Sequence, residues 1–429
     1  MEATSRNNEL KKFRRRNAKL YAIYKMFSWD LLFYYSIEFL FFTITKGITP
    51  SQALLASGIY LMSEVVMEIP AITITDFLGR RKSIILGNIL LILHLIVLVF
   101  MPGMTSIALS SIICALGFDI KGMSETNLLY DSVATRGGDG LYSKINSKGA
   151  SFYYILDGIA SLMAGYLFVI NNYLPMIICF IFLLISTIIS FGFKDIYDVR
   201  VKKEGNLKNT IKEYSQNLKV TSKFIFKSKR MRSFMLFKIV LYSLICIIEI
   251  YGSDLLVDIG IPEEQFSIIF AVLTLIGGIS ISQRKNIEKK FKNRTLTLLS
   301  LIYVMSIIAV GIITNVIEVK IAIPIVLFMF VLQRITQSIW YVLEEKYLKN
   351  FTREEDRSKI TFTYRFIGSL IAGISTIVAS ILLDITSIEN AYIIVGLVGL
   401  LFTVLVLDYM RTRFGLKPEE YKKEDLYIK

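Results

Sequence analysis

The sequence predicts an all-α membrane protein of twelve transmembrane helices, arranged as two six-helix pseudo-repeats with both termini in the cytoplasm. The first observation is composition: 54% of the 429 residues are hydrophobic and the mean hydropathy is +0.56. A soluble domain has to expose more polar surface than such a chain supplies. The other two observations are a succession of membrane-length apolar runs and the placement of basic residues between those runs.

The apolar runs define the predicted spans. A hydrocarbon core of about 30 Å needs roughly 20 apolar helical residues for each crossing, and no water is available there to satisfy the backbone. The predicted spans are residues 26–45, 51–74, 83–101, 105–130, 147–170, 174–193, 234–256, 264–283, 295–314, 320–344, 359–383 and 390–408.

The basic residues orient these spans. A net charge of +14 would suit nucleic acid if Lys and Arg formed patches on a soluble fold, but they lie mainly in the gaps between apolar runs. On the proposed alternation, only Lys46 and Lys320 fall in the loops opposite the basic side. The positive-inside rule then places both termini on the cytoplasmic side of the cell (inner or plasma) membrane. The same placement of the basic residues argues against a nucleic-acid partner.

The same pattern divides the chain into segments. The predicted segments are a cytoplasmic arm at 1–25, a six-helix half at 26–193, a basic cytoplasmic linker at 194–232, a second half at 233–410 and a cytoplasmic tail at 411–429. Two stretches about half the chain apart are similar, Gly158–Leu167 and Gly373–Leu382, and Ser143-Lys144-Ile145 recurs as Ser358-Lys359-Ile360. Parallel repeats of this kind predict a shared cavity between the halves near the membrane midplane.

Charged side chains inside the spans are the candidate site residues. An ionised group in hydrocarbon costs several kcal/mol, so it should face a partner or a wet cavity. The candidates for contact with substrate or protons are Asp30, Glu38, Asp119, Glu125, Asp157, Glu249 and Arg334. The alternative is that they form structural pairs, for example Asp119 or Glu125 with Lys121 or Arg334. The only histidine, His94, lies in span 3 and is expected to face lipid or the flank of the bundle.

Enzymatic and metal chemistry find no support in the sequence. Cys114, Cys179 and Cys246 lie in apolar runs, as small hydrophobic residues do. There is no phosphate-binding loop, metal-ligand cluster or nucleophile elbow. The prediction is therefore a protein that is not an enzyme, with no catalytic residue, no cofactor and no metal.

The segment between spans 2 and 3 carries a motif, Asp76-Phe-Leu-Gly79-Arg80-Arg81-Lys82. It resembles the loop 2–3 signature of the major facilitator superfamily, G-x-L-A-D-R-x-G-R-K, through Asp76, Gly79, Arg80 and Arg81. Ile72 and Phe77 depart from that pattern, at its first glycine and at a basic position. Phe291-Lys292-Asn293-Arg294 resembles an eroded second copy without the aspartate.

The resemblance implies a cytoplasmic latch. By analogy, Asp76 would lie at the N-terminus of the helix that begins near Lys359, where the helix dipole favours an anion. Arg80 would pair with Asp131 at the end of span 4. The alternative is that the basic residues serve only as topology anchors.

The family resemblance also implies a function. It implies a monomeric secondary transporter that works by alternating access in the bilayer, with a small-molecule substrate and protons as coupling ion. Export of an amphipathic or cationic molecule is the preferred direction, by resemblance to the drug-efflux-like members. Uptake of a small polar nutrient is the alternative, and a membrane sensor that moves no cargo is the third possibility.

Overall fold

A computed structural model describes residues 2–134, 138–196, 207–291, 294–352 and 356–411, and their regular structure is helical throughout. The helices are α1 (Glu2–Ser28), α2 (Glu38–Leu40), α3 (Pro50–Leu78), α4 (Arg80–Phe100), α5 (Gly103–Val133), α6 (Gly138–Ile170), α7 (Leu174–Ser190), α8 (Leu207–Lys227), α9 (Lys229–Asp258), α10 (Glu263–Phe291), α11 (Thr295–Val316), α12 (Val319–Phe351), α13 (Arg357–Ile385) and α14 (Ile388–Arg411).

Ten of the predicted spans coincide with helices that are long and apolar enough to cross a membrane. These ten are α3 to α6 and α9 to α14. The sixth predicted span corresponds to α7, a shorter apolar helix of 17 residues. The first predicted span, 26–45, is different in kind, because it is not one helix.

The prediction of a continuous helix over 26–45 is wrong. Helix α1 ends at Ser28, and after an irregular segment α2 runs into one turn of π-helix at Phe41–Thr45. Within the irregular segment Phe33 has φ = 67°, a conformation that bulky side chains rarely adopt. Hydropathy could not reveal this interruption, because the residues around it are as apolar as those of a helix.

The predicted cytoplasmic arm 1–25 forms one helix with the first residues of span 1. Within α1, Asn17 donates to the Lys194 carbonyl oxygen at 2.8 Å and to Ser132 Oγ at 3.2 Å. Lys194 N in turn donates to Asn17 Oδ1 at 3.0 Å. These bonds hold α1 against the end of α5 and the chain that follows α7.

The predicted linker 194–232 contains helix α8, which sequence reasoning missed. One face is buried through Thr221, Phe224 and Ile225, and the Tyr214 ring lies 5.0 Å from that of Phe362 on α13. The opposite face exposes lysines. Residues 197–206 of the linker and 412–429 of the predicted tail lie outside the described residues.

The chain divides into two compact units. Unit 1 comprises Met1–Ile48, Ser63–Lys212 and Glu263–Ile268; unit 2 comprises Thr49–Met62, Glu213–Pro262 and Ile269–Lys429. The core of unit 1 includes Tyr21, Tyr24, Ile84, Leu128, Leu129, Val133 and Phe193. The core of unit 2 includes a cluster of Leu61, Cys246 and Ala372 with Tyr242 packed against it.

Candidate functional site

A buried ion pair joins helices α1 and α5 of unit 1. The Lys25 ammonium on α1 contacts the Glu125 carboxylate on α5, whose side chain is 1% exposed. Tyr24 donates to Glu125 Oε1 at 2.6 Å, and Ser28 Oγ donates to the same oxygen at 3.1 Å. A carboxylate withdrawn from water is costly unless it is paired with a cation and hydrogen-bonded, and Glu125 has both kinds of partner.

A second buried lysine, Lys121, binds the end of α1. Lys121, 2% exposed, donates to the Ser28 carbonyl oxygen and lies 4.8 Å from the centre of the Phe118 ring. The last carbonyl groups of a helix lack intrahelical donors, and a cation there is favoured by the helix dipole. Lys121 fits because Gly87 on α4 has no side chain: a Cβ there would lie 2.7 Å from Lys121 Cβ.

Three further acids of unit 1 follow or face the end of α1. Asp30 Oδ1 accepts the Leu31 N–H at 2.9 Å, and Glu38 Oε1 accepts the Tyr34 hydroxyl at 2.8 Å. Asp157 on α6 lies near the Tyr153 hydroxyl and within electrostatic range of Asp30. Both aspartates are half-buried, and neither forms an ion pair with a described residue. The structure thus places two repelling carboxylates close to the irregular segment.

Unit 2 contains a similar ion pair. Lys238 on α9 donates to Glu344 Oε1 on α12 at 2.6 Å, with both side chains about nine-tenths buried. The ammonium lies 5.0 Å from the centre of the Tyr242 ring and 4.8 Å from that of Tyr364. The pair is therefore enclosed by apolar and aromatic surface.

The two ion pairs correspond in detail. Lys25 lies on α1 and Lys238 on α9, and each lies four residues before an aromatic ring that its ammonium covers. The ammonium lies 4.9 Å from the centre of the Trp29 ring for Lys25 and 5.0 Å from that of Tyr242 for Lys238. Each lysine side chain also packs against a glycine: Lys25 against Gly149 on α6, and Lys238 against Gly368 on α13. This correspondence supports an internal repeat.

The register of that repeat differs from the sequence prediction. The sequence comparison aligns Gly158 with Gly373, whereas the lysine contacts align Gly149 with Gly368. The two alignments differ by about one helical turn. Apolar helical sequences match almost equally well after a shift of one turn, so only the contacts select the register.

The remaining candidates lie apart from these pairs. Asp119 is half-buried on α5, and Glu249 is exposed on α9. Arg334 on α12 donates to Gln337 Oε1 at 3.4 Å and lies within electrostatic range of Glu249. The closest charged partner of Glu125 is Lys25, and not Lys121 or Arg334 as the structural alternative suggested.

The loop 2–3 residues form a polar turn between α3 and α4. Gly79 has φ = 79°, which glycine adopts without steric cost. Arg80 Nε lies 3.9 Å from Asp131 Oδ2, with each side chain about a quarter exposed; pairs this accessible contribute about 0–1 kcal/mol. Asp76 is exposed at the end of α3, and Lys292 and Asn293 of the second copy lie outside the described residues.

Arg81 has partners that sequence reasoning missed. Its N–H donates to Asp195 Oδ1 at 2.9 Å, and Nη2 donates to the Phe191 carbonyl oxygen at 3.1 Å. These bonds attach the loop to the chain that follows α7. The motif therefore contacts the ends of two helices within unit 1.

Sequence reasoning also missed Lys25, Lys238 and Glu344 as site residues. Lys25 falls in the predicted arm, and Glu344 is the last residue of predicted span 10. The available signal was the recurrence of a lysine followed four residues later by a large ring, at Lys25 and Trp29 and again at Lys238 and Tyr242.

The expectation that His94 faces lipid or the flank of the bundle is wrong. Its side chain is 2% exposed, and Nδ1 lies 3.0 Å from the Ser110 carbonyl oxygen on α5. The ring also packs edge-on against Tyr34, 5.5 Å away. His94 therefore belongs to the polar interior of unit 1.

Metal binding is not indicated in the part of the chain that the structure describes. No group of three or more His, Cys, Asp or Glu side chains is placed there to hold a metal ion. What the described site offers instead is paired charges, phenolic hydroxyls and unshared carboxylates. Such groups bind and release protons or organic ions.

Comparison with solved structures identifies transporters of the same fold. The nucleoside transporter NupG aligns with a TM-score of 0.68 at 11% sequence identity, covering 96% of this chain and 100% of the other. A POT family transporter in complex with a thioalcohol-conjugated peptide aligns with a TM-score of 0.65 at 13% identity, covering 95% and 96%.

A peptide transporter POT in complex with sulfate aligns with a TM-score of 0.62 at 12% identity, covering 94% of each chain. Identities this low show the fold alone. No protein-family model matches the sequence, and no curated protein matches it. The chain is thus a multi-pass membrane protein with the fold of major facilitator transporters.

Proposed function

We propose that the chain is a secondary active transporter that works by alternating access and couples the movement of a small organic molecule to protons. The observation that carries the proposal is a cluster of charges in unit 1. Lys121, Glu125 and Asp157 lie on the membrane-length helices α5 and α6, and Lys25 and Asp30 lie beside them at the end of α1 and in the segment that follows it. Intramembrane charge is costly to retain, which makes an ion or substrate pathway the default explanation for it.

Asp30 and Asp157 are the proposed proton-binding residues. The repulsion between these neighbouring carboxylates is relieved when one of them binds a proton or a cationic group. The interrupted backbone beside Asp30 supports this assignment, because non-helical backbone at membrane depth is tolerated where it is buried or lines a cavity. Discontinuous helices in transporters commonly form substrate and ion sites.

Two directions of transport are proposed for testing. Export of an amphipathic or cationic molecule is what the loop 2–3 resemblance implies. Uptake of a polar solute is the second candidate, favoured by the structural likeness to nucleoside and peptide transporters. A sensor that moves no cargo would retain the fold and lose all flux.

The latch is part of the same proposal. Arg80 and Asp131 would stabilise one of the alternating states, and Asp76 would join them in that state. Because the Arg80 to Asp131 contact is partly exposed, it can open and re-form at little cost.

The test uses purified protein reconstituted into vesicles that contain a pH-sensitive dye. A pH gradient is imposed, and nucleosides, dipeptides and organic cations are added in turn. We expect at least one solute class to move protons with wild type, and Asp30→Asn or Asp157→Asn to abolish that movement. Asp384→Asn, at an exposed aspartate near the end of α13, is the matched control and should leave it unchanged.

The outcomes separate the components of the proposal. Solute flux that persists without proton movement in both aspartate variants and in wild type would exclude proton coupling. Wild type that moves no solute in either orientation would favour the sensor. Solute-driven proton movement only when solute is supplied from the cytoplasmic side would establish export.

A further inference from the structure

A second charged group lies in unit 2, away from the Lys238–Glu344 pair. Glu249 is on α9, where Ile245 to Ile248 just before it are buried. Protein surrounds Glu249 densely, yet the surface of its side chain remains exposed. A side chain with both properties lines a recess. Since α9 is long and apolar enough to cross a membrane, that recess has to be wet or occupied by a polar group.

Arg334 on α12 lies within electrostatic range of Glu249 and has unused hydrogen-bond donors. Its Nη1 donates to Gln337 Oε1 at 3.4 Å, while its buried Nε has no hydrogen-bond partner among the described residues. Gly277 on α10 makes room for the guanidinium, because a Cβ at that position would lie 3.3 Å from Nε. The guanidinium is therefore held at one edge and leaves further N–H groups for another acceptor.

Glu249 and Arg334 interact at a distance and do not touch. They lie within electrostatic range, but within the described part of the chain neither forms an ion pair shorter than 4 Å. This contrasts with Lys25 and Glu125, and with Lys238 and Glu344, which pair directly. Opposite charges at low dielectric gain much from contact, so two that stay apart each retain the capacity to bind another charged group.

We propose that Glu249 and Arg334 bind the two ends of a zwitterionic small molecule, an amino acid or a short peptide. The Glu249 carboxylate takes the ammonium group, and the Arg334 guanidinium takes the carboxylate through its planar fork of donors. Tyr303 and Tyr341 lie within electrostatic range of Glu249 and supply aromatic surface beside the ammonium. The inference rests on the proposed transport function and names its substrate class.

The test measures thermal stabilisation of the purified full-length protein by four probes. L-phenylalanine carries both charges, 2-phenylethylamine only the ammonium, and 3-phenylpropanoate only the carboxylate; alanyl-phenylalanine is a longer zwitterion. We expect the zwitterions to raise the melting temperature of wild type well above the effect of either single-charge analogue at equal concentration.

The variants assign the two ends. Glu249→Gln should weaken zwitterion binding on the order of tenfold or more, and Arg334→Gln should do the same. Residual binding of 2-phenylethylamine should disappear only in Glu249→Gln, and that of 3-phenylpropanoate only in Arg334→Gln. Asp384→Asn and Arg411→Gln, at exposed positions, are matched controls and should bind as wild type does.

Two results would overturn the inference: no stabilisation of wild type by either zwitterion, or stabilisation that survives unchanged in both variants. The outcomes also distinguish failure of this binding site from failure of the proposed transport function. If protons move with another solute and the zwitterions neither stabilise the protein nor compete, transport stands and this site falls. If the zwitterions bind through both residues and no flux occurs, the site stands and transport falls.

Discussion

Helix α1 of unit 1 and helix α9 of unit 2 each contribute a lysine to a buried ion pair, but their backbones differ. Lys25 pairs with Glu125 on α1 and α5, and Lys238 pairs with Glu344 on α9 and α12. Helix α9 continues through this region to Asp258, whereas α1 ends three residues after Lys25, at Ser28. The same kind of ion pair is therefore compatible with both an intact and an interrupted helix.

One position on the partner helix accompanies the difference. Four residues before Glu125 is Lys121, which donates to the Ser28 carbonyl oxygen at the end of α1. Four residues before Glu344 is Trp340, whose buried indole N–H has no partner in the described part of the chain. An interrupted helix in a membrane needs an internal donor for its freed carbonyl groups, and only unit 1 supplies a cation there. The ion pair is thus common to both backbones, and the residue one turn before its glutamate distinguishes the interrupted helix from the continuous one.

Breaking the pairs should have the largest effect. Glu125→Gln and Glu344→Gln each leave a lysine buried without its counter-charge, which costs about 3–5 kcal/mol. Glu125→Gln should be the more destabilising, because that carboxylate also accepts from Tyr24 and Ser28. The measurement is the free energy of unfolding in mixed detergent micelles.

The control for this experiment replaces a whole pair. Lys238→Met combined with Glu344→Leu should recover most of the lost stability, since no charge remains unpaired. Equal losses for Glu125→Gln and Glu344→Gln would show that the extra donors of unit 1 contribute nothing.

Lys121→Met tests whether this lysine stabilises the interrupted end of α1. It leaves the Ser28 carbonyl oxygen without its donor, at a cost of about 1–3 kcal/mol. Amide hydrogen exchange should rise in residues 29–37 and stay unchanged in the corresponding part of α9, residues 242–250. Trp340→Phe is the control and should leave both segments as they are. Unaltered exchange at 29–37 in Lys121→Met would refute the role assigned to this lysine.

A third test concerns Gly149 and Gly368, the glycines against which the two lysine side chains pack. A Cβ at Gly149 would lie 2.8 Å from Lys25 Cβ, whereas a Cβ at Gly368 would meet the flexible end of Lys238, with Cδ at 3.1 Å. Gly149→Ala and Gly368→Ala should each cost about 1–3 kcal/mol through overpacking.

A double-mutant cycle tells these two glycine effects apart. The cost of Gly368→Ala should vanish in a Lys238→Ala background, because the clashing atoms are gone. The cost of Gly149→Ala should persist in Lys25→Ala, because Cβ remains. The same behaviour at both sites would argue against the difference in contact that the structure shows.

Much of the helical frame could be predicted from the sequence. The positions of α3 to α6 and α9 to α14 follow from apolar length alone, since each crossing needs its own run of apolar residues. The turn at Gly79 and the proximity of Arg80 to Asp131 also followed from a local motif. The interruption after Ser28 did not, because Trp29 to Phe42 is apolar enough to be read as a helix.

Hydropathy and charge are properties of each residue alone, so the order of the residues was enough to identify a multi-helix membrane protein with charges in its apolar runs. Which of these charges meet depends on helix packing: Lys25 pairs with Glu125 and Lys238 with Glu344, while Glu249 and Arg334 interact without an ion-pair contact. Residues about 100 positions apart pair through helix packing, and a shift of one turn in that packing changes every partner while leaving the apolar pattern intact.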